Sequence, residues 1–244
     1  MTRLKAFGRL LTGTLSDSLR LFSLAPAIWL VVVAAEFAQH VVEVRLGMFA
    51  DAQAFNRLSL DPMRLEIGYI KVAMMTLAAF LASRVWVNHR DGKPWWSLAS
   101  IAWRPFLVGF VLTTLLSVPL LPGVAMPPAL VAPLTVLVYV VTLPLLVLMM
   151  AGILGDDSAT VVGVYRSGWG KGLRILLLMA IGFVPLQVLH LWDHLLAIGS
   201  HPVVLWLLLG WDSLVVGFIA AFLGTASHHG YVGSGEAPAR FTRT

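Results

Sequence analysis

One apolar stretch of the chain, residues 26–49, carries three side chains that could do chemistry. Glu36, His40 and Glu43 are spaced by four and three residues, so on a helix they project from one face. A charged side chain near the centre of a bilayer costs about 2.5–3.5 kcal/mol even on insertion-based scales. We therefore expect this helix to turn that face toward protein or a polar cavity, and away from lipid.

Six further polar residues are predicted to lie in the same half of the membrane, the outer one, or, for Asp193 and His194, just beyond the fifth span. Asp212 lies ten residues past Pro202, and Glu36 lies ten residues past Pro26. A rise of about 1.5 Å per residue places both near the midplane. Lys71 enters from the same side on the second span, and the other half of the spans is nearly free of such groups. The remaining four lie toward the end of the fifth span: Gln187, His190, Asp193 and His194.

This polar cluster allows three interpretations. In the first it holds helices together, through an ion pair between Lys71 and a first-span carboxylate, above all Glu43. In the second it lines a cavity for a lipid headgroup or small solute, with Lys71 and the histidines facing an anionic group. In the third it binds a divalent metal, and the candidate ligands are Glu36, His40, Glu43, His190 and His194.

Motifs of known enzyme chemistry are missing from the sequence. There is no phosphate-binding loop motif, no G-x-S-x-G and no H-E-x-x-H. The absence of cysteine excludes thiolate metal sites and cysteine nucleophiles. We therefore expect a non-enzymatic membrane protein that binds lipid or protein partners within a larger assembly, with bound phospholipid. The alternatives are a small-solute or lipid transporter, or a metal-dependent membrane enzyme, using the polar cluster.

The composition defines the class of protein. The chain is 59% hydrophobic and 12% charged over 244 residues. No Asp, Glu, Lys, Arg or His occurs from Pro105 to Gly155, a run long enough for two crossings of about 20 residues each. The fold class is an all-α integral membrane protein with a bundle of six transmembrane helices. The spans are predicted at 26–49, 67–86, 105–121, 129–154, 173–191 and 202–226.

Basic amphipathic segments precede the odd-numbered spans. Short interfacial helices are predicted there, within residues 4–22, 93–104 and 158–171. The first either lies in the membrane interface or packs on the bundle as a cap. The predicted domains are an amphipathic cytoplasmic helix over 1–25, the transmembrane domain over 26–227 and a polar cytoplasmic tail over 228–244.

The distribution of basic residues predicts the orientation. Thirteen of the 17 Lys and Arg residues lie on the side that holds both termini, and the exceptions are Arg45, Arg57, Arg64 and Lys71. The positive-inside rule then places both termini in the cytoplasm. Anionic lipid headgroups are the expected partners on that side, with other membrane subunits as further candidates. Nucleic acid is not expected, because no basic run is dense enough.

Two short stretches and the predicted topology resemble a known family. The stretches are DSLRLF at 17–22 and YRSGWGK at 165–171, in which basic and apolar residues alternate before a span. They resemble the bacterial six-span family of the glycerophosphoryl diester phosphodiesterase membrane domain and its relatives. In that family the hydrolase chemistry belongs to a separate soluble domain, which this chain lacks. The resemblance therefore implies the topology and a place in a bacterial inner membrane, and it supplies no catalytic residue.

Overall fold

A computed structural model describes residues 3–121, 124 and 126–233, without the side chains of residues 3 and 4. This part of the chain contains helices and no strand, so the expected all-α class is confirmed. Six helices, α2, α4, α5, α6, α8 and α9, are long and apolar enough to cross a membrane. The helices are α1 (Arg3–Leu24), α2 (Pro26–Arg45), α3 (Ala52–Leu58), α4 (Pro62–Arg90), α5 (Trp103–Ser117), α6 (Pro128–Leu154), α7 (Val161–Ser167), α8 (Trp169–Ala197) and α9 (Pro202–Val232).

The chain divides into two compact units. The first comprises Met1–Trp86 and Leu178–Ala226, and the second comprises Val87–Leu177 and Ser227–Thr244. Every residue of the predicted polar cluster belongs to the first unit, so that unit is the one that matters for function.

Helix α2 in the first unit turns its polar face inward, as the sequence predicts. Its buried residues recur every three or four positions, from Ile28 through Val32 and Glu36 to Glu43. The opposite face exposes apolar side chains such as Phe37. The exposed apolar face of α2 suits contact with lipid, and the opposite face holds the carboxylates inside the protein.

Helix α9 approaches its neighbours closely at small residues. A Cβ atom added at Gly217 would lie 2.6 Å from a methyl group of Val33 on α2. One added at Gly224 would meet the backbone carbonyl of Ala79 on α4 and lie 2.6 Å from the Cβ of Ala82. Close backbone approach of this kind is how helices pack in membranes, where lipid is as apolar as the side chains. These contacts fix the position of α9 between α2 and α4.

Helix α1 packs on the bundle, which favours the second of the two interpretations given for this segment. Leu10 joins a buried cluster with Leu178 and Phe222. Near the other end of α1 the ring of Phe22 stacks on that of Phe218, with ring centroids 5.9 Å apart. The helix therefore covers parts of α8 and α9.

The segment before the third span differs from the expectation. It was expected to form an interfacial helix within 93–104, but residues 91–102 contain turns and no helix. The side-chain amide of Asn88 donates hydrogen bonds to the carbonyls of Trp95 and Ser97, at 3.0 and 2.9 Å. Pro94 also lacks the N–H that a helix interior needs. Basic and aromatic composition alone did not reveal this turn. Helices do precede spans one and five, namely α1 with 22 residues and α7 with seven.

Two predicted boundaries also move. Helix α4 begins at Pro62, five residues before the predicted span, because the Asp61 carboxylate accepts a hydrogen bond from the Met63 N–H at 2.9 Å. Helix α9 continues to Val232, so the predicted tail from 228 begins as helix. The rest of that tail, from 234, lies outside the described residues.

The second unit contains the close pair α5 and α6. A Cβ added at Gly109 would lie 3.0 Å from the backbone carbonyl of Leu145, so the helices touch through glycine. Pro144 interrupts the hydrogen-bond ladder of α6. The hydroxyl of Tyr165, on α7, donates to the nearby carbonyl of Val141 at 2.6 Å.

Changing Gly224 to alanine should destabilise the protein. The added methyl group would push α4 away from α9, at a cost of about 1–3 kcal/mol for an overpacked contact. Gly210→Ala on the same helix is the matched control, because nothing lies within 4 Å of a Cβ at that position. Thermal unfolding in detergent should show a lower midpoint for Gly224→Ala only. Equal midpoints for the two variants would contradict the close contact.

Candidate metal centre

Four buried side chains from three helices of the first unit converge on one point. Glu36 and His40 come from α2, His194 from α8 and Asp212 from α9. Each offers one ligand atom, and these atoms all lie within 4.8 Å of one another. Glu36 and Asp212, which are predicted at a similar depth, therefore lie close together.

The contacts within this group centre on the carboxylate of Asp212. His40 Nε2 lies 2.9 Å from Asp212 Oδ2 and 3.5 Å from Glu36 Oε1. His194 Nε2 lies 3.4 Å from the same Asp212 Oδ2. That buried nitrogen makes no hydrogen bond in the described part of the chain. A buried polar atom without a partner is uncommon in folded proteins, and an ion at the site would explain it.

The second nitrogen of His40 is held by Glu43. His40 Nδ1 and Glu43 Oε2 are 2.9 Å apart. Glu43 Oε1 in turn accepts hydrogen bonds from Arg64 Nε at 2.8 Å and from Gln39 Nε2 at 2.9 Å. A carboxylate behind an imidazole is the usual arrangement at metal sites, because it fixes the ring and leaves the other nitrogen free to coordinate. Glu43, although predicted as a ligand, thus lies behind the group of Glu36, His40, His194 and Asp212 and outside it.

His190 supports Asp212 in the way that Glu43 supports His40. Its Nδ1 lies 2.6 Å from Asp212 Oδ1, the oxygen that faces away from His40. The carboxylate of Asp212 is therefore oriented from one side by α8 and presents Oδ2 to the centre. Of the five predicted metal ligands, three join the central group, while Glu43 and His190 support it from outside.

Lys71 pairs with a carboxylate of the first span, but with a different one from the one expected. Lys71 Nζ lies 3.0 Å from Glu36 Oε2, whereas Arg64 occupies Glu43. In both helices the two charged residues are seven positions apart, about two helical turns. Because α2 and α4 run in opposite directions, Arg64 meets the shallower carboxylate and Lys71 the deeper one. The prediction of Glu43 as the partner of Lys71 is therefore wrong.

Two predicted site residues remain, Asp193 and Gln187, and only Asp193 is buried. Asp193 is buried, and its Oδ2 has no hydrogen-bond partner among the described residues. Gln187 is exposed on α8. Arg64 and Gln39 belong to the network and were not predicted as site residues. Arg64 precedes Lys71 by seven residues, the same spacing as that between Glu36 and Glu43, and this match was the signal that would have identified Arg64.

Aromatic and apolar residues close the site at the end where α2 stops. The rings of Phe49 and Phe55 contact the His194 ring edge-on, with centroids 5.9 and 6.1 Å away. Phe49 packs in a buried cluster with Ala197 and Leu209. A cavity of about 370 Å³ is lined by Phe49 and by residues of the adjoining turns. The group of four buried side chains is thus covered by apolar side chains on the side of His194.

No protein-family model, curated protein or solved structure matches the chain. The resemblance to the glycerophosphoryl diester phosphodiesterase membrane domain therefore stays a prediction. The interpretation of the site depends on its geometry alone.

The ion pair between Lys71 and Glu36 leads to a prediction on stability. In metal-free protein, Lys71→Met should lower the free energy of unfolding by about 3 kcal/mol, because it leaves the buried Glu36 carboxylate without its cation. The double variant Lys71→Met with Glu36→Gln should recover part of this loss. Unfolding in detergent with a chelator present measures both. An unchanged midpoint for Lys71→Met would show that the pair contributes little.

Proposed function

We propose that the protein is an intramembrane metal-binding protein that holds one divalent transition-metal ion between α2, α8 and α9. The observation that carries this proposal is the convergence of four buried ligand atoms within 4.8 Å. Sites built from facing helices of a bundle commonly bind metal through inward carboxylates and histidines. An ion so placed would link three spans of the first unit.

The donor types narrow the choice of metal. Two imidazoles, of His40 and His194, combine with two carboxylates, of Glu36 and Asp212. Imidazole ligands suit zinc, iron, copper and nickel, whereas calcium and magnesium prefer sites built of oxygen alone. The chain has no cysteine, so soft thiolate ligation is excluded. We therefore favour a borderline ion such as zinc, iron or cobalt.

The balance of charge also supports a dication. The network holds four buried carboxylates and two cations that pair with them, so two negative charges stay uncompensated when the imidazoles are neutral. Uncompensated charge is expensive in a low-dielectric interior. One divalent ion would neutralise the network. The carboxylates are those of Glu36, Glu43, Asp193 and Asp212, and the cations are Arg64 and Lys71.

The functions expected from the sequence stand as proposals around this centre. A non-enzymatic protein that binds lipid or protein partners would use the ion to fix its spans. Transport or metal-dependent catalysis would use the ion directly, and these stay the alternatives. The location in a bacterial inner membrane remains a prediction from the resemblance, and the cytoplasmic position of the termini remains one from the distribution of charge.

Metal binding can be tested on the purified protein. After treatment with a chelator, the protein should bind one cobalt or zinc ion per chain, and calcium should bind far more weakly. Asp212→Asn and His194→Ala should each lose more than the about 10–100-fold typical of outer partners. His201→Ala is the matched control, since this histidine is exposed and outside the cluster. Calorimetric titration and elemental analysis give the affinity and the stoichiometry, and wild-type protein that binds no ion would refute the proposal.

Glu43 provides a second test of the same centre. Glu43→Gln removes the charge behind His40 without removing a ligand, so the affinity for cobalt should fall about 10–100-fold while the stoichiometry stays at one. Gln187→Ala, on the exposed face of α8, should bind like the wild type. An unchanged affinity for Glu43→Gln would exclude the supporting role of this carboxylate.

A further inference from the structure

One aromatic residue separates the four buried side chains of the candidate centre from the cavity at the end of α2. Phe49 lines this cavity, whose volume is about 370 Å³. The ring of Phe49 also contacts the ring of His194, with centroids 5.9 Å apart. Phe49 is only 5% exposed and packs in a buried cluster with Ala197 and Leu209. At Phe49 the wall between the cavity and His194 is therefore one residue thick.

The cavity lies among turns that join spans. Gly47 and Ala50 line it from the turn after α2, and Gly199 and Ser200 line it from the turn between α8 and α9. The backbone groups of such turns need water or protein as partners, so these turns lie at the membrane surface and not among acyl chains. A shell of about six water molecules around an ion fills roughly 180 Å³. The cavity therefore has room for one hydrated divalent ion.

On the sides of α4 and α8 the surroundings of the centre are apolar. Lys71 and His190 are 17% and 14% exposed there. Ile70 on α4 and Leu189 on α8, which adjoin them in the chain, are exposed apolar side chains of spanning helices. A divalent ion that enters hydrocarbon loses its water shell and finds no ligand in exchange. The cavity is therefore the approach from water that the described part of the first unit shows.

The Phe49 ring can turn while the backbone that carries it stays in place. The Phe49 carbonyl accepts a hydrogen bond from the Gly199 N–H at 2.8 Å, which fixes the turn. The ring contacts His194 and Phe55, with centroids 5.9 and 6.1 Å away. These contacts are individually weak, and a phenyl ring has no hydrogen bond to break when it turns. Rotation of this side chain is therefore the smallest movement that connects the cavity with His194.

We propose that the divalent ion enters and leaves the centre through this cavity, and that the Phe49 ring is the barrier it passes. This inference rests on the proposed metal centre. His194 is the candidate ligand in contact with Phe49, so an incoming ion meets it first. Asp212 Oδ2 follows, 3.4 Å from His194 Nε2. Because the ring covers the ligands and is not one of them, it controls the rate of exchange more than the affinity.

Exchange kinetics of the full chain in maltoside micelles test the role of the ring. The visible absorption of bound cobalt reports uptake after rapid mixing and release after addition of a chelator. Phe49→Ala should speed both processes about tenfold or more and change the affinity less than about threefold, because a lower barrier acts equally in both directions. Phe49→Leu keeps more of the packing, so it should accelerate exchange less, and it covers the case in which Phe49→Ala fails to fold. Phe37→Ala, on the exposed face of α2, should exchange like the wild type.

A bulky group attached in the cavity tests the route. The chain has no cysteine, so Ser200→Cys supplies a single thiol on the cavity wall. Its N-phenylmaleimide adduct should take up cobalt about tenfold more slowly than the small adduct that methyl methanethiosulfonate forms at the same thiol. Leu191→Cys, next to His190 on the exposed face of α8, is the matched control, and its N-phenylmaleimide adduct should take up cobalt like the wild type. Mass spectrometry of the intact protein verifies one adduct per chain.

Each outcome decides the proposal. Slower uptake for the Leu191→Cys adduct alone would show entry from the side of α8 and overturn the route. Normal cobalt binding, with rates that neither the Phe49 variants nor the Ser200→Cys adduct changes, would refute the route and leave the metal centre standing. Faster release with unchanged uptake for Phe49→Ala would show that the ring stabilises the bound ion and is not a barrier. Failure of the wild type to bind cobalt would refute both the metal centre and this proposal.

Discussion

The burial of negative charge inside a membrane is the constraint on which the first unit depends. Glu36, Glu43 and Asp212 are fully buried on helices whose outer faces are apolar. Each carboxylate therefore needs a cation or hydrogen-bond donor from a neighbouring helix, since the bilayer supplies neither. Arg64 and Lys71 meet this need from α4, and the histidines of α2 and α8 meet it for Asp212. The helices are therefore arranged so that each buried carboxylate meets a cation or a histidine of another helix.

Close packing and charge compensation act at different levels of the same helices. At Gly217 and Gly224, α9 lies against α2 and α4 through contacts that admit no side chain. One to three turns toward its start, the same helix presents Asp212 to His40 and His190. The steric contacts hold α9 rigidly, so the carboxylate keeps its position without being held by an ion. If the proposed ion binds here, this preorganisation removes the cost of ordering three helices first.

Spacing and depth were sufficient to predict the spans and the inward face of α2. The separation of Glu36, His40 and Glu43 identified that face, and distance along the chain placed Asp212 at the same level. The partner of Lys71 was predicted wrongly because hydropathy placed the start of the second span at 67, which left Arg64 in a loop. Depth also gives no rotation about a helix axis, so Gln187 was included although it is exposed on α8. Tertiary contacts settle these two points.

The pattern of contacts around Asp212 is compatible with the proposed metal centre. Most buried polar groups in folded proteins have a hydrogen-bond partner. Here His40 has carboxylates at both nitrogens, with Glu43 behind it and Asp212 in front. Asp212 is arranged in the same way: His190 lies at its Oδ1, and the imidazoles of His40 and His194 lie near its Oδ2. Supporting groups lie outside, atoms with free coordinating capacity lie inside, and His194 Nε2 stays without a hydrogen bond within the described residues. An ion at the centre would satisfy all of these atoms at once.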